Sequence, residues 1–314
     1  MTAIVGADAL AADVRRGLAR RPRELPPRWL YDERGSELFD AITRLEEYYP
    51  TRREREILAA RAGEIARRTD ADVLVEIGSG TSDKTRILLD ALNDAGSLRR
   101  YVPFDVSPDT LHAAAARLAA AYPGIDIAPV VGDFHDGLDR LPRHGRRLIA
   151  FLGGTIGNLY PRERARLLQG IRAAAGPGGH LVLGADLVKD RARLEAAYND
   201  QAGVTAAFNR NVLAVLNREL GADFDLDAFA HVARWDAGRS WMEIGLAAHD
   251  RQVVRIPAVD MEVVFEAGEL LRTEISAKFR REGLERELRA AGLEPVAFLT
   301  DPAGDFAVSL ARAE

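Results

Sequence analysis

The chain has 314 residues, enough for one large domain or two interleaved ones, and its 47% hydrophobic and 29% charged residues are ordinary for a soluble protein. The 43 basic and 48 acidic residues give a net charge of −5, and no stripe of Lys and Arg alternates with aromatic residues, so a nucleic-acid substrate is disfavoured. Cysteine is absent, which excludes disulfides, thiolate metal sites and cysteine nucleophiles.

The beginning of the chain, MTAIVGADALAADVRR, does not have the pattern of a secretory signal. It carries Asp8 and Asp13 and lacks a basic region followed by a long apolar one. No apolar run in the sequence approaches the roughly 20 residues of a membrane-spanning helix. We therefore expect a cytoplasmic protein, a location with which the absence of cysteine agrees, and a monomeric one.

The stretch up to residue 52 is rich in aromatic residues and prolines, as in LPPRWLYDERGSELFD and LEEYYPTR. It shows no strand pattern, so we expect it to have no sheet of its own and to pack with another part of the chain. The next segment, RREREIL at 52–58, places glutamates among arginines at helical spacing. That pattern is typical of a solvent-exposed helix face rather than of a basic patch.

Short apolar runs then alternate with helical patterns, which is the order of a parallel α/β sheet. Pro108 and Pro161 stand where helices begin, and Gly176 stands where one ends. A shorter run, DIAPVVGDF at 126–134, is expected to supply a further inner strand. The four main strand-like runs are VLVEIG (73–78), RYVPFDVS (100–107), RLIAFLGGTIGN (147–158) and GGHLVLGADL (178–187).

After residue 189 the pattern changes to helices and then to long alternating strands, in SWMEIGLAAH, QVVRIPAV and MEVVFEAGELLRTEISAKF. Near the end of the chain, two strand-like runs at 294–311 flank the turn DPAGD, which predicts a hairpin at the edge of the sheet. We interpret the changed segment as a unit for substrate recognition. The predicted domains are 53–188 with 278–314, which binds the cofactor, and 1–52 with 189–277, which binds the substrate.

The segment EIGSGT at 76–81 follows a strand and precedes a helix, so its glycines would let the backbone approach a ligand closely. Gly78 and Gly80 alone are a weak signal. Asp83 stands where a dinucleotide-binding loop has its third glycine, and the Gly-Lys-Ser/Thr ending of a P-loop is absent. By itself the loop is compatible with a cofactor site or with a plain tight turn.

Acidic residues follow the next two strands. Asp105 could accept hydrogen bonds from both hydroxyls of a ribose, and Asp133 with Phe134 suits the exocyclic amine and the ring face of an adenine. Any one of them could be a strand-ending residue without a function. Because the carboxyl ends of parallel strands meet at one edge of a sheet, the loop and both acids together predict an S-adenosylmethionine site.

Two polar residues near this edge leave alternatives open. Lys84, in the first turn of the helix after the loop, could neutralise the carboxylate of a methionine moiety or be an ordinary surface lysine. Asn158 follows the fourth strand, where its amide could hold an amine and a carboxylate. It could equally cap the helix that begins at Pro161.

Candidate substrate residues lie outside the predicted sheet. Tyr31, Tyr48 and Tyr198 stand in polar-aromatic stretches, where plain half-buried packing is the common role of a tyrosine. Glu274 and Ser276 are two apart on a predicted strand and so face the same side. If that side is buried they need partners, and otherwise they belong to a solvated strand face. The six histidines have no metal-binding spacing and no nucleophile elbow is present, so neither a metal site nor hydrolysis is expected.

These residues resemble those of the ergothioneine-pathway L-histidine Nα-methyltransferases, which depend on S-adenosylmethionine. The resemblance covers nearly the whole chain, in LPPRWLYDERGSELFDAIT, EYYPTR, EIGSGTSDKTR, PFDVS, GDF, FLGGTIGNL, AYNDQAGVTAAFNRNVLAVLNRELGADF and ELLRTEISAKF. It implies an α/β, Rossmann-like methyltransferase sheet with an inserted α+β substrate-binding domain, and S-adenosylmethionine as co-substrate without a metal. It further implies methylation of free L-histidine and its mono- and dimethylated forms, giving Nα,Nα,Nα-trimethylhistidine (hercynine).

The resemblance also implies roles for individual residues. Around S-adenosylmethionine it places Gly78, Lys84, Asp105, Asp133 and Phe134, to which the loop adds Gly80. The substrate's carboxylate and amine are implied to contact Tyr48, Asn158 and Tyr198, its imidazole nitrogens Glu274 and Ser276, and its amine Tyr31. Tyr31 and Asn158 are therefore the expected catalytic residues.

Ile244 departs from the family pattern, since well-known members carry methionine there against the substrate ring. We therefore expect the pocket for the substrate ring to have a different shape. Two rival functions remain. One is Nα-methylation of tryptophan or another aromatic amino acid, against which Glu274 and Ser276 argue. The other is a non-catalytic regulator that binds the cofactor, which would form no S-adenosylhomocysteine with any amino acid.

The expected chemistry asks little of the protein beyond presenting an uncharged amine in line with an already activated methyl group. An α-amine is mostly protonated at neutral pH, and desolvation in a closed cleft favours its neutral form. No strong base stands beside Asn158 and Tyr31, so we expect the proton to leave to water through hydrogen bonds. The ring faces of Tyr31 and Phe39 could hold the methylated cation by cation–π attraction.

Overall fold

The computed structural model describes residues 7–80, 84–134 and 137–314. These residues form two compact units. The first unit combines the described residues up to Tyr49 with Lys189–Ala277, and the second combines Pro50–Val188 with Lys278–Glu314. The boundary that we predicted at 52/53 falls inside the helix that begins at Pro50. Which unit binds cofactor and which binds substrate stays a prediction.

The helices and strands follow one another along the described residues in the order expected of an α/β chain with an insertion. The helices are α1 (Ala7–Leu18), α2 (Glu33–Ile42), α3 (Pro50–Thr69), α4 (Thr85–Asp94), α5 (Pro108–Ala121), α6 (Pro161–Ala175), α7 (Arg191–Tyr198), α8 (Val204–Leu220) and α9 (Arg281–Ala290). The strands are β1 (Arg23–Glu24), β2 (Val73–Ile77), β3 (Arg100–Asp105), β4 (Asp126–Ile127), β5 (Val130–Val131), β6 (Arg147–Phe151), β7 (His180–Asp186), β8 (Phe229–Asp236), β9 (Trp241–Ala248), β10 (Gln252–Ile256), β11 (Met261–Phe265), β12 (Leu270–Ala277), β13 (Leu293–Thr300) and β14 (Phe306–Ala313).

The second unit is built on a sheet with the order β13-β14-β7-β6-β2-β3-β4, in which β5 also pairs with β3. Strands β2 to β7 are parallel, and β14 runs antiparallel to both of its neighbours. The order of the strands reverses between β6 and β2, which is the point where Rossmann-like sheets bind ligands at the carboxyl ends of their strands. The predicted α/β, Rossmann-like fold class and the C-terminal hairpin are confirmed.

The apolar runs form these strands because both sheet faces are covered, and every residue of β2 and β6 is buried. Two predicted details are wrong. The third run ends as a strand at Phe151, because Gly153 and Gly154 turn the chain. The predicted inner strand at 126–134 is split around Pro129 into β4 and β5, at the edge of the sheet, where a residue without an N–H is tolerated.

The first unit contains the sheet β1-β12-β9-β8 and the separate pair β10-β11. The predicted alternating strands form β9 to β12, whereas β8 was not predicted. β1 pairs with Leu271 and Arg272 of β12, so the N-terminal stretch has no sheet of its own, as predicted, and adds one short strand to the sheet of the insertion. Residues of that stretch, such as Leu10 and Trp29, share one buried core with Leu216 and Met242. Across the described residues, no helix is long and apolar enough to span a membrane.

Candidate active site

The turn after β2 has a backbone shape that favours glycine. Gly78 and Gly80 adopt φ values of 70° and 48°, in the left-handed region that other residues rarely enter. Apart from the residues adjacent in the chain, no atom of the described residues lies within 4 Å of the place where a Cβ would stand at either glycine. The N–H of Gly78 donates to Phe104 O at 2.8 Å, which ties the turn to the end of β3. Thr81, which ends the predicted loop, and Asp83 lie outside the described residues.

Asp105 ends β3, as predicted, and contacts the glycine loop (Glu76–Gly80). Its Oδ2 accepts a hydrogen bond from Gly80 N at 2.9 Å, and its Oδ1 accepts one from Ser107 N at 3.0 Å. Each carboxylate oxygen keeps a second lone pair for another donor. The carboxylate is therefore oriented by the main chain and can still accept hydrogen bonds from a ligand's hydroxyl groups.

Asp133 and Phe134 follow the edge strand β5 and lie close to Asp105. The N–H of Gly132 donates to Asp105 O at 3.0 Å. The ring of Phe134 packs edge-on against that of Phe151, at the end of β6, with 5.7 Å between the centroids. The structure thus brings the glycine loop, Asp105 and the Asp133–Phe134 pair to the carboxyl ends of neighbouring strands.

Lys84 is not an isolated surface lysine. Its ammonium pairs with the carboxylate of Glu54 on α3, whose side chain is 1% exposed. The same carboxylate accepts hydrogen bonds from Gly153 N with both oxygens, at 2.8 and 3.0 Å. A Cβ at Gly184 would lie 1.9 Å from Glu54 Oε1, so glycine leaves room for the acid there. One buried carboxylate therefore connects the residue before α4 with the turn after β6, next to the reversal of strand order.

Replacing Glu54 by alanine is expected to lower the free energy of unfolding by about 2 kcal/mol, because Lys84 loses its carboxylate and Gly153 N loses its acceptor. Urea denaturation of Glu54→Ala measures this change. The matched control is Glu56→Ala on the same helix, since Glu56 is 43% exposed and pairs only with Arg53 among the ion pairs identified in the described residues. Glu56→Ala should lower the free energy of unfolding by less than about 0.5 kcal/mol. Equal losses in the two variants would contradict the role of Glu54.

Asn158 lies neither at the end of a strand nor at the N-cap of the helix that begins at Pro161, the two positions that the sequence allowed. Strand β6 ends at Phe151, and Asn158 closes a 3₁₀ helix, Thr155–Asn158. The residue that caps α6 is Tyr160, whose N–H donates to the side chain of Glu163 at 2.8 Å. The amide of Asn158 is half-buried and is not used as a helix cap, so Asn158 stays a candidate for contact with the substrate.

Four aromatic residues that we predicted from distant segments are neighbours in the first unit. The ring of Tyr31 lies 5.3 Å from that of Phe39, which lies 6.2 Å from Tyr48, and Tyr48 lies 6.1 Å from Tyr198. Phe208 packs 5.3 Å from Tyr31 and 5.9 Å from Phe39. We call these five rings the aromatic cluster. Closely spaced rings at steep angles can present faces to a cation.

Glu274, Ser276 and Ile244 lie on one face of the first unit's sheet. Glu274 is opposite Ile244 in the antiparallel ladder, and Ser276 is opposite Met242. Ile244 is 3% exposed and Ser276 is 4% exposed, so the alternative of a solvated strand face is wrong. Ser276 Oγ lies 2.8 Å from Tyr198 Oη, within hydrogen-bonding distance. This bond joins the strand to the aromatic cluster.

The surroundings of Tyr31 decide its protonation state. The residue as a whole is 40% exposed, but its ring packs against those of Phe39 and Phe208. Burial raises the pKa of that hydroxyl well above its usual value, and the charge of Glu274 and then the neighbouring Tyr48 and Tyr198 raise it further. At neutral pH the side chain of Tyr31 is therefore an uncharged phenol.

Glu54 and Phe208 were missed at the level of the sequence. The interpretation of 52–58 as a solvated face is wrong at Glu54, which is fully buried. Ile57 and Leu58 stand three and four residues later, so the helical period alone places the acid on the apolar face. Phe208 had no signal beyond its apolar character. Among the residues that the structure describes, no group of three or more His, Asp or Glu side chains could hold a metal ion.

Comparison with known proteins identifies the family of the chain. The profile of a family described as histidine-specific, S-adenosylmethionine-dependent methyltransferases matches residues 10–313. The chain belongs to this family. It is 57% identical over 305 residues to the histidine N-alpha-methyltransferase of Mycolicibacterium smegmatis, covering 97% of this chain and 95% of that one. The protein of the same name from Mycobacterium tuberculosis is also 57% identical, over 303 residues that cover 96% and 94%.

A more distant relative is ergothioneine biosynthesis protein 1 of Neurospora crassa, 33% identical over 291 residues. The match covers 88% of this chain and 32% of that protein. As a member of the histidine-specific methyltransferases, the chain is an enzyme whose methyl donor is S-adenosylmethionine. The predicted family, enzyme class and co-substrate are confirmed, and the non-catalytic regulator is ruled out as an alternative.

Proposed function

We propose that this methyltransferase transfers three methyl groups in succession from S-adenosylmethionine to the α-amine of free L-histidine. The mono- and dimethylated forms are then substrates in turn, and the product is hercynine. One observation carries the substrate assignment: the buried face on which Glu274 and Ser276 lie beside Tyr198 and Ile244. An acid and a hydroxyl next to an apolar wall match a small ring with two polar nitrogens, which is an imidazole.

The second unit is proposed to bind S-adenosylmethionine, which supplies an activated methyl group when bound. Gly78 and Gly80 would let the backbone lie against the ligand, and Asp105 would accept the ribose hydroxyls with its remaining lone pairs. Asp133 and Phe134 are assigned to the adenine. Lys84, held by Glu54, is assigned to the methionine carboxylate, with which it would share its charge.

The amino-acid end of the substrate is assigned to Tyr48, Tyr198 and Asn158, which would hold the carboxylate and the amine. Tyr31 is assigned to the reacting amine, and with Asn158 it would orient the nitrogen lone pair. Ile244 and Phe39 would line the pocket. The support for this arrangement is the aromatic cluster, in which Tyr31, Phe39, Tyr48 and Tyr198 are successive neighbours.

Replacing Tyr31 by phenylalanine is expected to lower kcat by about tenfold, because one hydrogen bond that orients the amine is lost. In the plot of kcat/KM against pH, the rising limb of Tyr31→Phe should fall at the same pH as that of the unaltered enzyme. The raised pKa of Tyr31 keeps the phenol protonated across this range, so the limb reports the ammonium of histidine instead. Measuring both profiles between about pH 6 and 9 checks this prediction. A limb that disappears in Tyr31→Phe would identify Tyr31 as the base.

Successive methylation ends in a permanent cation, which cannot be stabilised by losing a proton. The rings of Tyr31, Phe39 and Phe208 lie 5.3 to 5.9 Å from one another and can stabilise such a cation by cation–π attraction. This cluster is the support for trimethylation rather than a single transfer. We further propose that the enzyme works as a monomer in the cytoplasm, a reducing compartment with which a chain that has no cysteine and therefore no disulfide is compatible.

The proposal is tested by measuring S-adenosylhomocysteine formation with a panel of free amino acids. We expect kcat/KM for histidine to exceed that for tryptophan, phenylalanine and tyrosine by at least a hundredfold. Mono- and dimethylhistidine should be turned over as well. Comparable or better turnover of tryptophan would reject histidine as the substrate and favour the rival aromatic amino acid.

A further inference from the structure

Strand β12 contains a β-bulge that decides which way Glu274 points. Arg272 is opposite Gly245 and Glu274 is opposite Ile244, so Thr273 is an extra residue between them. Gly245 and Ile244 are adjacent on β9 and face opposite sides of the sheet. Arg272 and Glu274 therefore also face opposite sides, although they are two residues apart. Without the bulge, Arg272 would share the face of Glu274 and Ser276.

The separation of the two charges is visible in their partners. Arg272 donates to Glu243 on the far face, at 2.6 and 3.0 Å, and Glu243 also accepts from Arg234. Glu274 shares its face with Ile244 and Ser276 instead. The bulge thus places the Arg272 guanidinium and the Glu274 carboxylate on opposite faces of the sheet.

The extra residue of the bulge is held by a side-chain network. Thr273 Oγ1 donates to Asn209 Oδ1 at 2.5 Å and lies 3.3 Å from Ile244 O. Asn209 Nδ2 donates to Gly245 O at 2.9 Å and to His231 Nδ1 at 2.9 Å. Both Thr273 and Asn209 are 1% exposed. Because the Gly245 carbonyl can only accept, it fixes the orientation of the Asn209 amide.

The network ends on the main chain of a predicted substrate residue. His231 lies on the same face of the sheet as Ile244, since it is opposite Leu246. Its Nε2–H donates to Tyr198 O at 2.8 Å, because its Nδ1 accepts from Asn209. Burial lowers the pKa of His231, which favours the neutral ring that this arrangement needs. Tyr198 is thus held at its carbonyl by His231 and at its hydroxyl by Ser276.

We propose that Thr273, Asn209 and His231 are positioning residues for recognition of the substrate ring. They act by fixing the bulge that turns Glu274 toward the buried face and by anchoring Tyr198. This role rests on the proposed function, since it assumes that Glu274 and Ser276 contact the imidazole of histidine. The ring of the substrate would then be selected by the shape of one strand as well as by the residues on it.

The kinetic test compares Thr273→Val, which removes the hydroxyl at constant shape, with Thr273→Ser, which keeps it. We expect Thr273→Val to raise KM for histidine about tenfold, the effect of one lost buried hydrogen bond, and to leave KM for S-adenosylmethionine within about twofold. Thr273→Ser should restore most of the loss. The matched control is Thr69→Val, a buried threonine of the second unit that bonds to Ile65 O, and it should change neither KM.

A second measurement does not depend on turnover. The ring ¹⁵N shifts of His231, assigned with His231→Gln, should show a neutral Nε2–H tautomer at about pH 7.5 in the unaltered enzyme. A protonated ring or an Nδ1–H tautomer would overturn the network. If the unaltered enzyme methylates histidine but Thr273→Val leaves KM for histidine unchanged, the positioning role alone is overturned. The same holds if Thr273→Val changes KM for histidine and KM for S-adenosylmethionine equally. No histidine turnover by the unaltered enzyme would overturn the proposed function and, with it, this role.

Discussion

Replacing Asp105 by alanine is expected to weaken S-adenosylmethionine binding by about 100- to 10,000-fold, with little change in histidine binding. Two ribose hydroxyls would lose their carboxylate, and each charge-assisted hydrogen bond contributes about 1.5 to 3 kcal/mol. Gly80 N also loses the acceptor that holds the glycine loop. Calorimetric titration of the folded variant with S-adenosylmethionine measures the change.

Asp126→Ala is the matched control for this experiment. Asp126 follows on the neighbouring edge strand, is 54% exposed, and forms an exposed ion pair with Arg100 at 2.7 Å. Exposed pairs contribute less than about 1 kcal/mol, and this one lies away from the glycine loop's hydrogen bonds, so cofactor affinity should change by less than about twofold. Unaltered S-adenosylmethionine affinity in Asp105→Ala would contradict the placement of the cofactor at the end of β3.

Replacing Glu274 by glutamine is expected to raise KM for histidine about 10- to 100-fold while KM for S-adenosylmethionine stays nearly constant. The reason is the loss of a charged acceptor for an imidazole N–H, at a buried face where water cannot replace it fully. The ratio of tryptophan to histidine turnover should rise at the same time, because an indole needs no second polar contact. Steady-state kinetics with each amino acid measures both quantities.

The control for Glu274 is Glu262→Gln on β11, where the side chain is 57% exposed and pairs with Arg255 at 3.5 Å. This variant should keep both KM values within about twofold. If Glu274→Gln behaved in the same way, the selection of histidine could not be attributed to this face, and Ile244 with the aromatic cluster would have to supply it.

The parallel sheet was predictable because a strand covered on both faces is almost wholly apolar. β2 and β6 are buried throughout, and the glycines that follow them mark their carboxyl ends. Strand β8, FAHVARWD, was missed because most of its residues are half-buried and its polar side chains do not alternate clearly. We predicted Asn158 at the end of a strand because FLGGTIGN has the pattern of one apolar run. In the structure, the turn at Gly153 separates the end of β6 from Asn158.

The sequence allowed individual residues of the candidate site to be predicted, but not how their side chains are arranged in space. Glu274 and Ser276 share a face by simple alternation, and this held. That Arg272 lies on the opposite face could not be predicted, because a bulge depends on the register with β9, 25 or more residues away in the sequence. Glu54 is the opposite case, because the helical period of the sequence places it on the apolar face. We predicted it to be exposed because charged residues are rarely buried.

The most direct test of the proposed function is the product formed from L-histidine and S-adenosylmethionine labelled with ¹³C in its methyl group. We predict a mass gain of three labelled methyl groups, and a single ¹³C methyl environment in the NMR spectrum, as three equivalent groups on the α-nitrogen give. Label on an imidazole nitrogen, or no methylated histidine while another amino acid is methylated, would contradict Nα-trimethylation of histidine.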